Sequence, residues 1–101
     1  MDDKGRVLVS LSLKWRTQPS IAEEYAFLAR RPYSIETVTL VILFLYQLHH
    51  EGLVEDSHLG EGEAYVWRLS KAGEIEQQRL LSEYPEVALA REDFLLSGCP
   101  I

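Results

Sequence analysis

The sequence contains one cysteine, Cys99, so no disulfide can form within the chain. A low number of cysteines is typical of proteins from a reducing compartment. We expect Cys99 to be an inert thiol. Nor is there a run of about 18 uncharged apolar residues that could span a bilayer, because the most apolar stretch, 38–48, is shorter. The opening residues MDDKGR lack the basic start and apolar core of a signal peptide. We therefore expect a cytoplasmic protein without membrane association.

Signatures of catalysis and of cofactor binding are also missing. The sequence has no Gly-rich phosphate loop after a strand, no nucleophile elbow and no zinc signature. His49 and His50 are adjacent on a predicted helix, where neighbouring side chains point about 100° apart and seldom share an ion. Neither they nor His58 have a Cys or another His at ligand spacing. We expect no enzymatic activity, no metal and no cofactor.

An excess of positive charge is absent as well, since the net charge is −6. Residues 1–31 carry six basic and four acidic side chains, a balance of +2. Residues 32–101 carry four basic and twelve acidic side chains, a balance of −8. Dedicated nucleic-acid binders usually have a basic surface, so only the first third of this chain can supply one.

Apolar residues make up 47% of the 101 residues, enough for the core of one domain over 1–101. Residues 6–16 fit two interpretations. The alternating pattern of a strand is formed by Val7, Val9, Leu11, Leu13 and Trp15. Leu8, Leu11 and Trp15 also share one face of a helix, so local pattern leaves both alternatives open.

The next segments predict a helix-turn-helix over about 20–51. Its first helix covers 20–30, where Ser20 and Glu23 have the spacing of a capping box, and Pro32 ends it. The second helix runs from a Ser34 cap over about 34–51 and stops at Gly52. Its inward stripe consists of Val38, Val41, Leu45 and Leu48.

A β-hairpin over about 53–69, with a Gly-bearing tip, is predicted to follow. C-terminal helices then cover about 71–97, interrupted at Pro85. The order of helix, helix-turn-helix, hairpin and helix predicts a mainly α protein with a small β-hairpin (α+β), a winged helix-turn-helix. Residues 6–16 are taken as the first helix of this order only because of the resemblance to known regulators that follows.

Two sequence motifs resemble those of PadR-like and MarR-like bacterial regulators, and the resemblance covers about residues 20–80. Residues 49–54, HHEGLV, resemble the end of the recognition helix, and 65–73, YVWRLSKAG, resemble the return from the wing. Gly-Glu-Gly at 60–62 resembles a wing tip. The resemblance implies a DNA-binding transcriptional regulator that acts as a homodimer. It implies DNA contacts from Arg30, Arg31, Tyr33, Ser34, Thr37, Thr39, Arg68 and Lys71.

The charge pattern favours an alternative, a winged helix that binds a protein and no nucleic acid. The outward face of helix 34–51 has no Lys or Arg and consists of Glu36, Thr39, Leu40, Leu43, Tyr46, Gln47 and His50. Base recognition usually needs Arg, Lys, Asn or Gln, and the wing tip is acidic through Glu55, Asp56, Glu61 and Glu63.

A partner or dimer surface is expected at Leu40, Leu43, Tyr46, Val87 and Phe94, because exposed apolar patches mark contacts. The open alternative is that residues 84–97 fold back and cover the apolar side chains of helix 34–51. A ligand-sensing domain, with Trp15 or Trp67 lining an apolar pocket, is a third and weaker hypothesis, since such residues more often belong to the core.

Overall fold

The computed structural model describes residues 1–58 and 65–96, except for the side chain of His58. The predicted wing tip with Glu61 and Glu63, and Cys99, lie outside these residues. The helices are α1 (Asp3–Val9), α2 (Gln18–Ala29), α3 (Ile35–His50), α4 (Lys71–Glu83) and α5 (Pro85–Leu96). The strands are β1 (Arg16–Thr17), β2 (Val54–His58) and β3 (Tyr65–Leu69), antiparallel in the order β1-β3-β2. This is the predicted winged helix.

The prediction of a first helix over residues 6–16 is correct only in part, because α1 covers Asp3–Val9, residues 10–15 lie outside any helix, and Arg16 belongs to β1. Asp2 caps α1 by accepting a hydrogen bond from the Gly5 N–H at 2.8 Å. Val7, Leu8 and Val9 are all buried, because α1 packs against α2, α3 and α4. The strand-like alternation arose because Val7 and Val9 belong to α1, whereas Leu11, Leu13 and Trp15 lie in the segment between α1 and β1.

Helix α2 begins before the predicted Ser20 cap. Thr17 is the N-cap, and its hydroxyl accepts a hydrogen bond from the Ser20 N–H at 3.4 Å. Pro19 lies in the first turn, where its fixed φ suits a helix start. The prediction of a Ser20–Glu23 capping box is wrong, because the Ser20 hydroxyl accepts a hydrogen bond from Arg16 Nη2 at 2.8 Å instead.

Helix α3 follows the prediction closely. Ser34 is its N-cap and accepts a hydrogen bond from the Thr37 N–H at 3.3 Å. Gly52 follows the helix with φ of 79°, in the left-handed region that suits glycine. Three members of the predicted inward stripe, Val41, Leu45 and Leu48, are buried, and Val38 is partly buried.

The core lies between α1, α2, α3 and the sheet. Its largest fully buried side chains include Trp67, Tyr25, Leu8, Leu11 and Ile21. The Tyr46 ring meets the Trp67 ring edge-on, with centroids 5.4 Å apart, a favourable geometry for aromatic pairs. Trp67 is therefore a core residue, and Trp15 lies on the other side of the wing.

A carboxylate is buried in this apolar interior. Glu24 of α2 is fully buried, and its Oε1 atom accepts a hydrogen bond from Arg16 Nη1 at 2.8 Å. The Arg91 Nε atom of α5 lies 3.2 Å from Glu24 Oε2. Burial raises the pKa of Glu24, and the two guanidinium groups oppose that shift. The group ties β1, α2 and α5 together.

A second polar link joins α4 to the end of α1. The carboxamide nitrogen of Gln77 lies 3.0, 3.1 and 2.8 Å from the carbonyl oxygens of Leu8, Val9 and Leu11. Arg91 Nη2 also donates to the Leu11 carbonyl at 2.9 Å. The last carbonyl groups of a helix have no hydrogen-bond donor within the helix. At the end of α1, Gln77 of α4 and Arg91 of α5 supply these donors.

Candidate nucleic-acid interface

The turn between α2 and α3 presents two of the predicted contact residues to solvent. Helix α2 ends at Ala29, and Arg30 adopts the left-handed conformation with φ of 54°. The Arg31 N–H donates to the Ala26 carbonyl at 2.9 Å, which closes the helix end. Arg30 and Tyr33 are exposed, and Arg30 forms no ion pair within residues 1–58 and 65–96.

Arg31 is exposed but already has a carboxylate partner. Its Nη2 atom donates to Asp3 Oδ2 at 3.3 Å. The other oxygen of Asp3 accepts a hydrogen bond from Arg6 Nη1 at 3.0 Å. This carboxylate, together with burial, also raises the pKa of Tyr25. The positive charge beside the turn is thus partly neutralised by α1.

Hydroxyl groups at the start of α3 are used within the fold. The Thr37 hydroxyl donates to the Pro32 carbonyl at 2.8 Å and its side chain is buried, so it does not project toward a duplex. The exposed Thr39 donates to the Ile35 carbonyl at 2.9 Å. Ser34 serves as the helix cap. Of these three, Thr39 is the hydroxyl best placed for an outside contact.

The predicted contacts at the base of the wing differ in their surroundings. Arg68 Nε donates to Glu55 Oε1 at 2.8 Å, and its guanidinium lies 4.2 Å from the centre of the Trp15 ring. Such a cation–π contact with an ion pair holds Arg68 flat against its own domain. Lys71 is exposed at the start of α4 and has no ion pair among the described residues.

The outward face of α3 remains uncharged apart from Glu36. Six of its seven predicted members are exposed, and Leu40 is partly buried against the core. Helix α5 packs on α2 and α4, so it is not the element that lies over Leu43 and Tyr46. Both side chains are exposed to solvent.

Helix α5 turns a different face outward than the sequence suggested. Phe94 is buried against the Phe27 ring, with centroids 5.3 Å apart, and Val87 packs on the core. These two side chains therefore belong to the interior of the chain rather than to a surface. The exposed apolar side chains of α5 are Leu89, Leu95 and Leu96. Because α5 is apolar on both sides, sequence spacing did not distinguish the two faces.

One of the two adjacent histidines of α3 contacts a carboxylate. His49 Nε2 lies 3.1 Å from Asp56 Oδ1, which links the end of α3 to β2. Within the described ranges, no three His, Cys, Asp or Glu side chains are grouped so as to hold a metal ion. The same ranges contain no helix that is long and apolar enough to cross a membrane.

Comparison with known proteins supports the fold. The sequence matches no family model and no curated protein. Among solved structures, it is similar to a double mutant of ZitR from Lactococcus lactis, with a TM-score of 0.62 and 15% identity. The similarity covers 93% of this chain and 59% of the ZitR chain. At that identity the likeness concerns the fold alone, and it agrees with the winged helix described above.

Proposed function

We propose that this winged helix is a DNA-binding transcriptional regulator that acts as a homodimer. The observation that carries the proposal is the α2–α3 turn, where Arg30 is exposed and unpaired among the described residues. Arg31 and Tyr33 lie in the same turn, beside the open N-terminus of α3. The first residues of a recognition helix are those that reach base edges in such folds. The structural similarity to ZitR is consistent with this placement.

The residues divide into two roles. Arg30 and Arg31 supply phosphate contacts, which dominate affinity for DNA, and the N-terminus of α3 adds the favourable end of its dipole. Thr39 is the exposed uncharged polar side chain of α3 nearest this end, and the exposed carboxylate of Glu36 lies closer still. Lys71 and Arg68 flank the wing, although Arg68 must first leave Glu55. Ser34 and Thr37 hold the turn in shape, and the exposed Tyr33 supplies a further phosphate contact.

Dimerisation would use the outer side of α5. Leu89, Leu95 and Leu96 are exposed there, while the inner side of the helix is occupied by Phe94. Exposed apolar side chains that are grouped together mark contact surfaces. Two-fold dimers place two recognition helices about one DNA turn apart, which would double the small number of cations that one chain offers.

Replacing both arginines tests the proposal. We expect Arg30→Ala with Arg31→Ala to weaken binding to a random-sequence duplex by roughly tenfold or more and to reduce the salt slope by about two, because two phosphate contacts are lost. Fluorescence anisotropy at low and at moderate salt measures both quantities. Lys4→Ala with Arg79→Ala removes the same charge elsewhere and should have a small effect. Equal effects of the two double variants would contradict the assignment.

Removing the carboxylate beside the turn should have the opposite effect. In Asp3→Asn, Arg31 and Arg6 lose their shared partner, so we expect duplex affinity at low salt to rise by roughly twofold to fivefold. Glu51→Gln changes the net charge equally but frees Lys4. If Glu51→Gln increases affinity as much as Asp3→Asn, the effect is one of net charge and not of Arg31.

A second candidate function is a protein-interaction module that binds no nucleic acid. It is favoured by the C-terminal half of α3, which exposes Leu43 and Tyr46 to solvent. The duplex titration discriminates between the two functions. Absence of binding even at low salt would leave the protein-interaction function as the better explanation.

A further inference from the structure

The first two turns of α3 present apolar groups to solvent directly after the basic turn. Ile35, the first residue of the helix, is 84% exposed. Thr39 is exposed one helical turn later on the same side. Arg30, in the preceding turn, is exposed and has no ion pair within the part of the chain that the structure describes. The first turns of a recognition helix are the part that reaches base edges.

Hydrogen-bond donors that could read bases are scarce at this end of α3. The helix contains no Lys, Arg or Asn, and its single Gln, Gln47, lies about 18 Å along the helix axis from Ile35. The Thr39 hydroxyl donates to the Ile35 carbonyl at 2.9 Å, so the methyl group is the part of this side chain left for an outside contact. Apolar contact is therefore the main form of base readout that these two turns offer.

Glu36 is the one charged side chain in these two turns. It is exposed and lies about 100° round the helix from Ile35. Phosphate repels a carboxylate, whereas the amino group of cytosine donates a hydrogen bond to one. Glu36 therefore favours an arrangement in which the first turns of α3 face base edges and the α2–α3 turn, with Arg30, faces the phosphates.

Duplex DNA displays one apolar group in its major groove, the C5-methyl group of thymine. We infer that Ile35, together with the methyl group of Thr39, contacts thymine methyl groups, so that DNA rich in A·T pairs is the preferred substrate. The inference rests on the proposed function and adds to it the residue that sets base preference. Burial of one methyl group corresponds to about a fourfold change in affinity.

Two duplexes that differ only in this methyl group test the inference. A short alternating A·T duplex offers thymine methyl groups in every binding register, and uracil in place of thymine removes them without a change in charge. We expect the thymine duplex to bind about fourfold to tenfold more tightly in fluorescence anisotropy at equal salt. In a G·C duplex, 5-methylcytosine restores a methyl group to the major groove and should raise affinity in the same way.

Substitution of Ile35 assigns the effect to this side chain. Ile35→Ala should reduce the preference for thymine over uracil to less than about twofold and leave the salt slope unchanged. Ile75→Ala on α4 is the matched control, because Ile75 is also an exposed isoleucine, at 69%, and it should keep the full preference. Arg30→Ala with Arg31→Ala should weaken binding to both duplexes alike and preserve their ratio.

The possible outcomes separate this inference from the proposed function. Salt-dependent binding of equal strength to the thymine and uracil duplexes would overturn the inference and leave DNA binding in place. A preference for thymine that survives Ile35→Ala, or that is lost equally in Ile75→Ala, would overturn it as well. Absence of binding to any of the duplexes at low salt would overturn the proposed function and the inference together.

Discussion

Glu24→Ala is expected to lower the free energy of unfolding by about 3–5 kcal/mol. The substitution removes the carboxylate that lies between Arg16 and Arg91, and it leaves two largely buried cations facing each other. Breaking a buried ion pair costs far more than the pair itself contributes, because the remaining charge has lost both water and partner. For a chain of this length we expect the melting temperature to fall by roughly 15 °C or more.

The neighbouring Glu23 provides a matched control. Its side chain is exposed, so Glu23→Ala should change the unfolding free energy by less than about 1 kcal/mol. Denaturation followed by far-UV circular dichroism measures both variants. If the two substitutions cost the same, the group of Glu24, Arg16 and Arg91 does not hold β1, α2 and α5 together as described.

Gly73→Ala should be similarly damaging, for a steric reason. A Cβ atom on Gly73 would lie 1.8 Å from the carbonyl oxygen of Leu53. That oxygen is fixed, because it accepts a hydrogen bond from the Ser70 N–H at 3.1 Å. Helix α4 would have to move away from the start of the wing, and we expect a cost of about 3 kcal/mol. Thermal denaturation is the direct measurement.

Gly52→Ala is the control for Gly73→Ala, because it introduces backbone strain without a steric clash. Gly52 has φ of 79°, but no atom lies within 4 Å of a Cβ placed on it. Alanine there should cost about 1 kcal/mol, the usual penalty for a left-handed non-glycine residue. The prediction for Gly73 would be contradicted if the Gly52 variant were the less stable of the two.

Local signals were sufficient to predict α3, the wing and α4. Ser34 and Gly52 each act within a few residues of their own position, as a cap and a helix stop. Their effect is therefore visible in the sequence. The same holds for Tyr33 and Arg30, whose exposure follows from their place in a turn between two amphipathic helices.

Features that depend on distant partners could not be predicted in this way. The two-residue strand β1 exists only because Arg16 and Thr17 pair with Trp67 and Val66. The burial of Glu24 could not be predicted either, because its partner Arg91 lies on another helix. Recognition of Thr17 as the α2 cap was within reach, since Pro19 two residues later marks a helix start.

The sequence predicted which residues belong to the candidate site, but not the contacts that surround them. The sequence identified Arg31 and Arg68, but their neutralisation by Asp3 and Glu55 requires the folded chain. On α5, the choice of Val87 and Phe94 as surface residues failed because the opposite face carries equally apolar side chains. The net charge of the candidate site and the choice of the exposed face of α5 both depend on tertiary contacts. The periodicity of the sequence does not contain this information.

The link from Gln77 to the end of α1 bears on how the chain folds while it is being synthesised. Its hydrogen bonds join residues 69, 68 and 66 positions apart, and that of Arg91 to Leu11 spans 80. A single domain folds as a unit, and the carbonyls at the end of α1 gain these partners only after α4 and α5 have left the ribosome. We therefore expect the packing of α1 to be completed late in synthesis.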